Sequence, residues 1–488
     1  MPPAPVTTAT TSLHIAGRWV AAASGESFAA VDPAHGTPLG HVALGDRADA
    51  RQAVEAAHAA APGWGAMSAF ERGAALTRVG DLIELRREEL ARALSADQGK
   101  PLRAEAYDEV DELVVYWRMA AADATRLEGS MPPSVDARKR ILVQRVPRGV
   151  VAVITPWNWP YTMAAELLAP ALAGGNTVVW NPARHTSLCS VRLAECVVEA
   201  DLPPGAFNLV TGPGETVGDE IAGHPLTAAV GFVGSPRTGL GVARRAAGKE
   251  LLLEMGGNGP LVVMDDADLD AAVDATLTAC YLNAGQSCTA GERILVHYRV
   301  HDRYVAALAE AVAARVRMGD PFDDATTMGP LNNEATAAKT AHHVAEAVAG
   351  GARIVLGGQR APDLGSPLFF QPTILDGVTE IMAIAREETF GPVAPVTPIA
   401  DLDEALGIVN ASSYGLLSAI FTRDLRRGLA FAEAARSGWV NINESTNYWE
   451  SHLPFGGRAG STSGLGRVGG RYSLERLTEL KTIVVSLA

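Results

Sequence analysis

Cysteine is scarce in this chain, with four cysteines among 488 residues. So few cysteines exclude a disulfide framework and are typical of a protein from a reducing compartment, so we expect a cytoplasmic location. No metal-ligand spacing occurs among them, and no metal centre is predicted. Basic residues are also outnumbered: 41 Lys and Arg against 55 Asp and Glu leave a formal net charge of −14. This balance argues against nucleic acid as a partner.

Long apolar runs are absent as well, so no transmembrane segment is predicted. The N-terminal residues 1–5 (MPPAP) lack the charged and apolar regions of a signal peptide. What the chain does have is 48% hydrophobic residues, enough for a large core in two or three domains. The composition therefore predicts a globular protein that does not insert into a membrane.

Strand-like and helical segments alternate between about residues 141 and 263. This alternation is typical of βαβ units and predicts a doubly wound parallel sheet. A second alternating region, from about 260 to 454, predicts a second α/β domain. Strands are predicted at 149–154, 176–180, 206–210 and 228–233, and helices at 48–60, 69–95, 104–124, 163–173, 187–200 and 215–222.

Two apolar stretches lie outside these regions. Residues 129–147 predict two strands joined by a polar turn, and residues 479–487 predict another strand. Such strands leave unpaired edges unless a partner subunit or an additional local sheet covers them.

A turn at residues 283–291 (NAGQSCTAG) contains Cys288, between a helical pattern and the strand-like 293–297. A thiol in such a loop is a candidate nucleophile, although a buried structural thiol is about as common. Cys189 and Cys196 lie on one side of an amphipathic helical pattern, which favours packing.

Two more polar residues follow apolar strands. Asn158, in 155–161 (TPWNWPY), could donate its amide to a negative oxygen, or it could stabilise a turn. Glu254 precedes the Gly256–Gly257 pair, and burial there would raise its pKa as a general base requires; the alternative is a surface ion pair. Residues 231–239 run from a strand through glycines into a helix, a weak sign of a dinucleotide site.

Five motifs together resemble those of the aldehyde dehydrogenase superfamily, in its non-acylating NAD(P)-dependent branch, and the resemblance covers residues 13–485. It implies a Rossmann-like cofactor domain, an α/β catalytic domain and a small β oligomerisation domain. The motifs are 155–160 (TPWNWP), 254–257 (EMGG), 285–288 (GQSC), 387–393 (EETFGPV) and 454–457 (PFGG). The implied domains are 1–127 with 149–256 for the dinucleotide, 257–455 for catalysis, and 128–148 with 472–488 for oligomerisation.

The resemblance implies that Cys288 attacks an aldehyde, that Asn158 and the Cys288 amide hold the oxyanion, and that Glu254 activates water to release the acid. It also implies NAD or NADP as cofactor and a homodimer or homotetramer. The implied cofactor residues are Thr155, Pro156, Trp157, Asn181, Arg184, Gly234, Ser235, Gly239, Glu388 and Phe390.

One departure from the family concerns the adenine ribose. The family pattern is Lys-Pro-Ser/Ala-Glu, whereas residues 181–184 read NPAR. Arg184 could bind a 2′-phosphate, which would favour NADP, or it could point to solvent and leave NAD bound through Asn181. The spacing between 457 and 463 is also slightly longer than usual, with no predicted consequence.

Aromatic residues that include Trp159, Trp449 and Phe455 predict an aromatic-walled entrance for the substrate. An aromatic entrance suits an aryl or otherwise bulky aldehyde, and it also suits an aminoaldehyde or betaine-aldehyde type of substrate, with a semialdehyde as a further alternative. A CoA-acylating enzyme is disfavoured by Glu254, and a catalytically silent relative by the intact Cys288 and Asn158. The predicted pocket residues are Trp159, Thr162, Glu166, Trp449 and Phe455.

Overall fold

The computed structural model describes residues 10–487, so the N-terminal segment 1–5 lies outside the described part of the chain. The strands are β1 (Leu13–Ile15), β2 (Arg18–Val20), β3 (Ser27–Val31), β4 (Pro38–Ala43), β5 (Lys139–Pro147), β6 (Val150–Ile154), β7 (Thr177–Asn181), β8 (Phe207–Leu209), β9 (Thr227–Gly234), β10 (Glu250–Met255), β11 (Gly259–Val263), β12 (Gly291–His297), β13 (Arg353–Leu356), β14 (Thr373–Asp376), β15 (Val393–Ile399), β16 (Leu417–Phe421), β17 (Trp439–Ile442), β18 (Gly464–Leu465) and β19 (Thr478–Ser486).

The α-helices are α1 (Arg47–Ala66), α2 (Ala69–Leu85), α3 (Arg87–Gln98), α4 (Tyr107–Ala124), α5 (Thr162–Ala173), α6 (Ser187–Glu199), α7 (Asp219–Gly223), α8 (Pro236–Arg245), α9 (Leu269–Tyr281), α10 (His301–Arg315), α11 (Glu334–Ala349), α12 (Ala383–Arg386), α13 (Leu402–Asn410), α14 (Leu425–Ala434) and α15 (Gly470–Arg476). Within residues 10–487, no helix combines the length and the apolar character needed to cross a membrane.

An eight-stranded sheet confirms the first predicted α/β region. Its order is β18-β10-β9-β6-β7-β8-β1-β2, and the five strands from β10 to β8 run parallel. Both β6 and β7 are buried along their whole length because helices cover the two faces of the sheet. The carboxyl ends of these strands therefore meet along one edge, where ligands bind in sheets of this kind.

A seven-stranded sheet forms the second α/β region, in the order β13-β14-β15-β12-β11-β16-β17. All its strand pairs are parallel except β13 with β14. Only three residues separate the end of β10 from the start of β11. This short connection brings the carboxyl edge of the first sheet close to the second sheet.

Strand β19 pairs with β5 in an antiparallel two-stranded sheet, from Thr478–Pro147 to Ser486–Lys139. The prediction of two strands within 129–147 is wrong in one respect, because the first strand is reduced to a bridge between Ser130 and Val143. Residues 132 and 133 are both proline. Proline has no N–H to donate to a sheet, which explains why pairing stops there.

The helical pattern predicted over 69–95 is interrupted. Arg86 has φ −103° and ψ 19°, outside the helical range, and it separates α2 from α3. This bend lets α2 pack against α4 while α3 packs against α6. Tertiary packing therefore decides a break that the periodicity of the sequence does not mark.

Candidate active site

The loop carrying Cys288 leaves α9 through a strained turn. Asn283 and Ala284 have φ of 51° and 53°, in the left-handed region that non-glycine residues seldom adopt. Gly285 continues the turn at φ 73°, where an added Cβ would overlap the carbonyl of Gly391. The turn redirects the chain so that Cys288 is partly exposed, whereas the other three cysteines are buried.

Asn283 connects this loop to the loop that carries Asn158. Its Nδ2 donates to the carbonyl oxygens of Asn158 (2.9 Å) and Gln286 (3.2 Å), and its Oδ1 accepts from Gln98 Nε2 (2.9 Å). Its backbone N–H donates to Glu105 Oε1 (2.9 Å). Asn158 Nδ2 itself donates to the carbonyl of Gln286 (3.0 Å). The candidate oxyanion donor and the candidate nucleophile therefore belong to one hydrogen-bonded unit.

Replacing Asn283 with alanine should lower kcat/KM about 10- to 100-fold. The change removes three buried hydrogen bonds that hold the loops of Asn158 and Cys288 together. Displacement of these reacting groups should lower the catalytic rate by more than the loss of folding stability alone would. Asn208→Ala is a matched control, because buried Asn208 also makes three hydrogen bonds to backbone, away from this loop. Equal losses of activity at equal losses of Tm in the two variants would contradict the positioning role.

Glu254 and Cys288 lie side by side at the end of β10. The pKa of Glu254 is raised to about 8. Burial is the largest cause and the charge of Glu388 adds to it, whereas contact with the Cys288 thiol acts in the opposite direction. Its Oε1 is buried without a hydrogen-bond partner. Burial and the neighbouring Glu254 raise the pKa of the Cys288 thiol well above its ordinary value. Glu254 is therefore the base best placed to accept the thiol proton or the proton of a water molecule.

A cleft of about 500 Å³ opens between the two large sheets in front of Cys288. It brings together nine of the predicted residues from both sheets. These are Pro156, Trp157, Asn158, Gly234, Ser235, Glu254, Cys288, Glu388 and Phe390.

The cleft has the features that a dinucleotide requires. The N-terminus of α8 faces it, capped by Ser235, and the free amides of a helix N-terminus bind phosphate. Arg237 and Lys339 add positive charge to the lining. The residues present therefore fit NAD or NADP.

Glu388 is held at the other end of the cleft by backbone. The amide of Gly257 donates to Glu388 Oε1 (2.9 Å), and burial raises the pKa of Glu388 to about 8. A Cβ on Gly256 would lie 2.6 Å from the same oxygen, so a glycine is required for this approach. Such a carboxylate can accept hydrogen bonds from ribose hydroxyls.

Phe390 is fixed by a residue that sequence reasoning missed. Its φ is 62°, and the amides of Thr389 and Phe390 donate to the buried carboxylate of Glu292 at 2.7 and 2.8 Å. The Phe390 ring then meets Trp157 edge to face, with 5.5 Å between ring centroids. Glu292 is the second residue of β12 and follows the cysteine loop directly. The start of β12 therefore connects the loop of Cys288 to the loop of Phe390.

Four predicted cofactor residues do not line the cleft: Arg184 lies beside it, and Thr155, Asn181 and Gly239 lie behind its walls. Thr155 Oγ1 accepts from Trp180 Nε1 (2.8 Å), and Asn181 Nδ2 donates to the carbonyls of Val210 (2.9 Å) and Gly212 (3.3 Å). Gly239 is buried where a Cβ would overlap the sulfur of Met255. Their contacts support the walls of the cleft from behind.

Arg184 lies beside the cleft. Its guanidinium is 4.8 Å from the ring centroid of Phe28, in a neighbouring pocket that shares His185 and Asn333 with the cleft. The stacked guanidinium is thus held next to the cofactor cleft by a cation–π contact.

None of the five predicted substrate residues is among the residues that line this cleft. Trp159, Trp449 and Cys288 are partly buried against the same apolar cluster, which contains buried Phe455. Trp449 and Phe455 are 5.7 Å apart between centroids. Trp159 is held from behind by buried Lys100, whose Nζ lies 3.2 Å from the ring centroid.

Thr162 and Glu166 lie on α5, behind this aromatic group. Thr162 is fully buried, and its amide donates to Glu109 Oε1 (3.3 Å). Glu166 is 2% exposed, and its Oε1 accepts from the hydroxyl of Tyr116 at 3.5 Å. Burial and the charges of Glu254 and Glu112 raise its pKa well above the ordinary value.

Nine other residues line the cleft and were not predicted individually, although Gly256 lies in the 254–257 motif and Val233 and Arg237 lie in the 231–239 stretch. They come from β9, from the helices α5, α8 and α11 and from turns between elements, so only the tertiary structure brings them together. They are Met163, His185, Val233, Arg237, Gly256, Asn333, Ala335, Thr336 and Lys339.

Comparison with known proteins agrees with this geometry. The model of the aldehyde dehydrogenase family matches residues 19–483. The chain is 40% identical over 471 residues to the 3-sulfolactaldehyde dehydrogenase of Pseudomonas putida, covering 96% of both chains. It is 38% identical over 475 residues to the NADP(+) succinate-semialdehyde dehydrogenase of Escherichia coli strain K12, covering 97% of both.

Solved structures are similarly close. Betaine aldehyde dehydrogenase from Staphylococcus aureus, in complex with NAD+, superposes with a TM-score of 0.94 at 34% identity, covering 98% of this chain and 95% of the other. The NAD-dependent aldehyde dehydrogenase from Sinorhizobium meliloti gives a TM-score of 0.95 at 38% identity, with the same coverage. The chain therefore belongs to the aldehyde dehydrogenase family, whose members use NAD or NADP to oxidise aldehydes.

Proposed function

We propose that this protein oxidises a bulky aldehyde to its carboxylic acid through a covalent intermediate on Cys288. The observation that carries the proposal is the meeting, in one cleft, of a partly exposed thiol, the buried carboxyl of Glu254 and the amide of Asn158. A panel of aldehydes assayed with NAD and with NADP, read as reduced cofactor, tests it. Absence of reduced cofactor with every aldehyde would contradict it.

In the proposed mechanism, Glu254 accepts the thiol proton and Cys288 Sγ attacks the carbonyl carbon. The oxyanion is held by Asn158 Nδ2, which exchanges its bond to Gln286 for one to the substrate, and by the Cys288 amide. NAD or NADP would be held by residues that include Ser235 and Glu388 and would supply the hydride acceptor, so that a thioester would remain on Cys288. Glu254 then releases its proton to solvent and removes a proton from the water that attacks the thioester, and the acid leaves as the Cys288 thiol is restored.

Glu254 also separates this proposal from a CoA-acylating reaction. A thiol acceptor that enters as a thiolate needs no base, whereas water needs one at neutral pH. The buried carboxyl, with a pKa of about 8, is suited to activate water beside the thioester. We therefore infer hydrolysis as the second half-reaction.

For the cofactor, we propose that Arg184 admits the 2′-phosphate of NADP. It would swing from Phe28 towards the adenine ribose, while Lys339 and Arg237 hold the pyrophosphate. The relative from Escherichia coli is named for NADP(+), and the Staphylococcus aureus structure contains NAD+. Both cofactors are thus precedented among the relatives.

Arg184→Gln should lower kcat/KM with NADP by about tenfold and change it less than about twofold with NAD, because only the phosphate pairs with the guanidinium. Arg192→Gln is the control, since Arg192 is paired with Glu195 on α6. A wild-type enzyme that strongly prefers NAD would contradict the role proposed for Arg184.

For the substrate, Trp159, Trp449 and Phe455 favour a bulky aldehyde, aryl or otherwise. The relatives named for succinate, glutarate and 3-sulfolactaldehyde suggest semialdehydes as the second candidate. Those substrates carry an anionic group as well as an aldehyde. The panel should therefore contain neutral, cationic and anionic aldehydes of similar length.

We also propose a homodimer or homotetramer, formed through a β5–β19 domain. Leu480 and Val484 on β19 are 64% and 57% exposed, an apolar surface that a second copy would cover. Strand β17 forms an open edge of the seven-stranded sheet that could receive it. Sedimentation of wild type and Val484→Asp tests this, with a shift towards monomer expected.

A further inference from the structure

Glu166 is a buried carboxyl whose chemistry the mechanism does not use. Its side chain is 2% exposed on α5, and its Oε2 is buried without a hydrogen-bond partner among residues 10–487. Within the same described residues, its one hydrogen bond is the 3.5 Å contact from the Tyr116 hydroxyl to Oε1. Buried polar atoms are normally paired, so an unpaired carboxyl oxygen indicates a missing donor.

The ionisable residues that act on Glu166 are acidic. The neighbouring charges that shift its pKa are those of Glu254 and Glu112, and both raise it. The pKa of Glu112 is raised to about 7. Burial and the charge of Glu109 raise it, and the charge of Lys100 partly opposes them. Lys100, however, is already paired with Glu109, with Nζ 2.5 Å from Oε2. The group formed by Glu112, Glu166 and Glu254 therefore lacks a cation of its own.

This acidic group lies beside the reacting thiol. The charge of Glu166 reaches Cys288, where it contributes to the raised pKa of the thiol. Met163 lines the cleft together with Cys288 and Glu254, and Glu166 follows Met163 by three residues on α5, so the two side chains share a face of the helix. The contact of Lys100 with the ring of Trp159 is already an example of a cation held by an indole there.

We propose that Glu166, with Tyr116 and Glu112, selects aldehydes that carry an ammonium group and rejects those that carry an anionic one. This inference rests on the proposed function and defines its substrate class. An ammonium group supplies the donor that Glu166 Oε2 lacks, while the rings of Trp159 or Trp449 attract the same charge. A carboxylate or sulfonate in this place would be repelled by Glu166 and Glu112, while Lys100 is already paired with Glu109.

The test compares three probes: a butanal with a terminal dimethylammonium group, which carries one N–H donor, its neutral isostere with carbon in place of nitrogen, and succinate semialdehyde. In the wild type, kcat/KM for the cationic probe should exceed that for the isostere by about tenfold or more, as a charge-assisted contact allows. The difference should lie mainly in KM. Succinate semialdehyde should be the poorest of the three. A wild type that prefers the anionic probe, or treats cation and isostere equally, would overturn the inference.

Glu166→Gln keeps the shape and removes the charge. It should reduce the ratio of cationic to neutral kcat/KM by about tenfold. Glu112→Gln should reduce the same ratio by a smaller factor, and it provides a second reading if Glu166→Gln folds poorly. The control is Glu450→Gln, which removes a solvent-accessible carboxylate near Trp449 and should change the ratio less than about twofold because water screens it.

The two proposals fail differently. Wild-type enzyme that oxidises no probe contradicts the proposed function. Suppose instead that the enzyme oxidises the neutral isostere, and that the ratio of cationic to neutral kcat/KM is the same in wild type and Glu166→Gln. That result contradicts only the charge selection.

Discussion

Replacement of Cys288 by alanine should reduce aldehyde oxidation by about 10⁴-fold or more. In the proposed mechanism covalent attack begins at this sulfur, and the other groups of the cleft cannot replace it as nucleophile. Reduced cofactor formed under saturating aldehyde measures the effect, and fluorescence titration with NAD and NADP should show cofactor binding retained.

Cys196→Ala is the matched control. Cys196 is a buried thiol on α6, whose Sγ lies 3.7 Å from the carbonyl oxygen of Arg192 and near the side chain of Arg86. This variant loses the same atom, so it should retain wild-type turnover with a modest loss of Tm. Wild-type turnover by Cys288→Ala would refute the mechanism.

Replacement of Glu254 by glutamine should lower steady-state turnover about 10²- to 10⁴-fold, the usual contribution of a general base. The loss should be larger for thioester hydrolysis than for attack by the thiol, because a thiol is far more acidic than water and can lose its proton to solvent without this base. We therefore expect a burst of reduced cofactor, up to one equivalent per active site, followed by slow turnover. Rapid-mixing absorbance would measure both phases.

The pH dependence follows from the same carboxyl. A base must be ionised to act, and burial raises the pKa of Glu254 to about 8. In the wild type, kcat should therefore increase as pH rises through about 8 and then level off, and this step should be absent from Glu254→Gln. Glu388→Gln provides the contrast, because loss of a cofactor contact should slow the burst itself. Unchanged steady-state turnover in Glu254→Gln would exclude it as the base.

Much of the fold was predictable from local pattern. Apolar runs such as 149–154 and 176–180 become buried parallel strands, because a strand covered on both faces must be apolar throughout. The break at Arg86 was not predictable, since the residues on either side favour helix and only packing against α4 and α6 separates them. The bridge at Ser130 was missed for a different reason: the apolar pattern outweighed two prolines.

The residues of the active site were also predictable only in part. Cys288, Glu254 and Asn158 stand out because each follows a strand or helix end, within a motif of known order. Asn181 was expected at the ribose, yet its amide is used by the carbonyls of Val210 and Gly212. A motif identifies a position along the chain, but the hydrogen bonds of its side chain depend on distant backbone.

The sequence was enough to predict the alternation of strands and helices, the family and the proposed reacting residues, because these depend on short-range pattern and on motif order. Tertiary structure alone decided what surrounds them. Glu254 and Glu166 are 88 residues apart in the sequence, and their charges interact only because the fold brings β10 and α5 close enough together. Burial and shared charge arise from that proximity, and in our proposal they select the aldehyde that reaches the thiol.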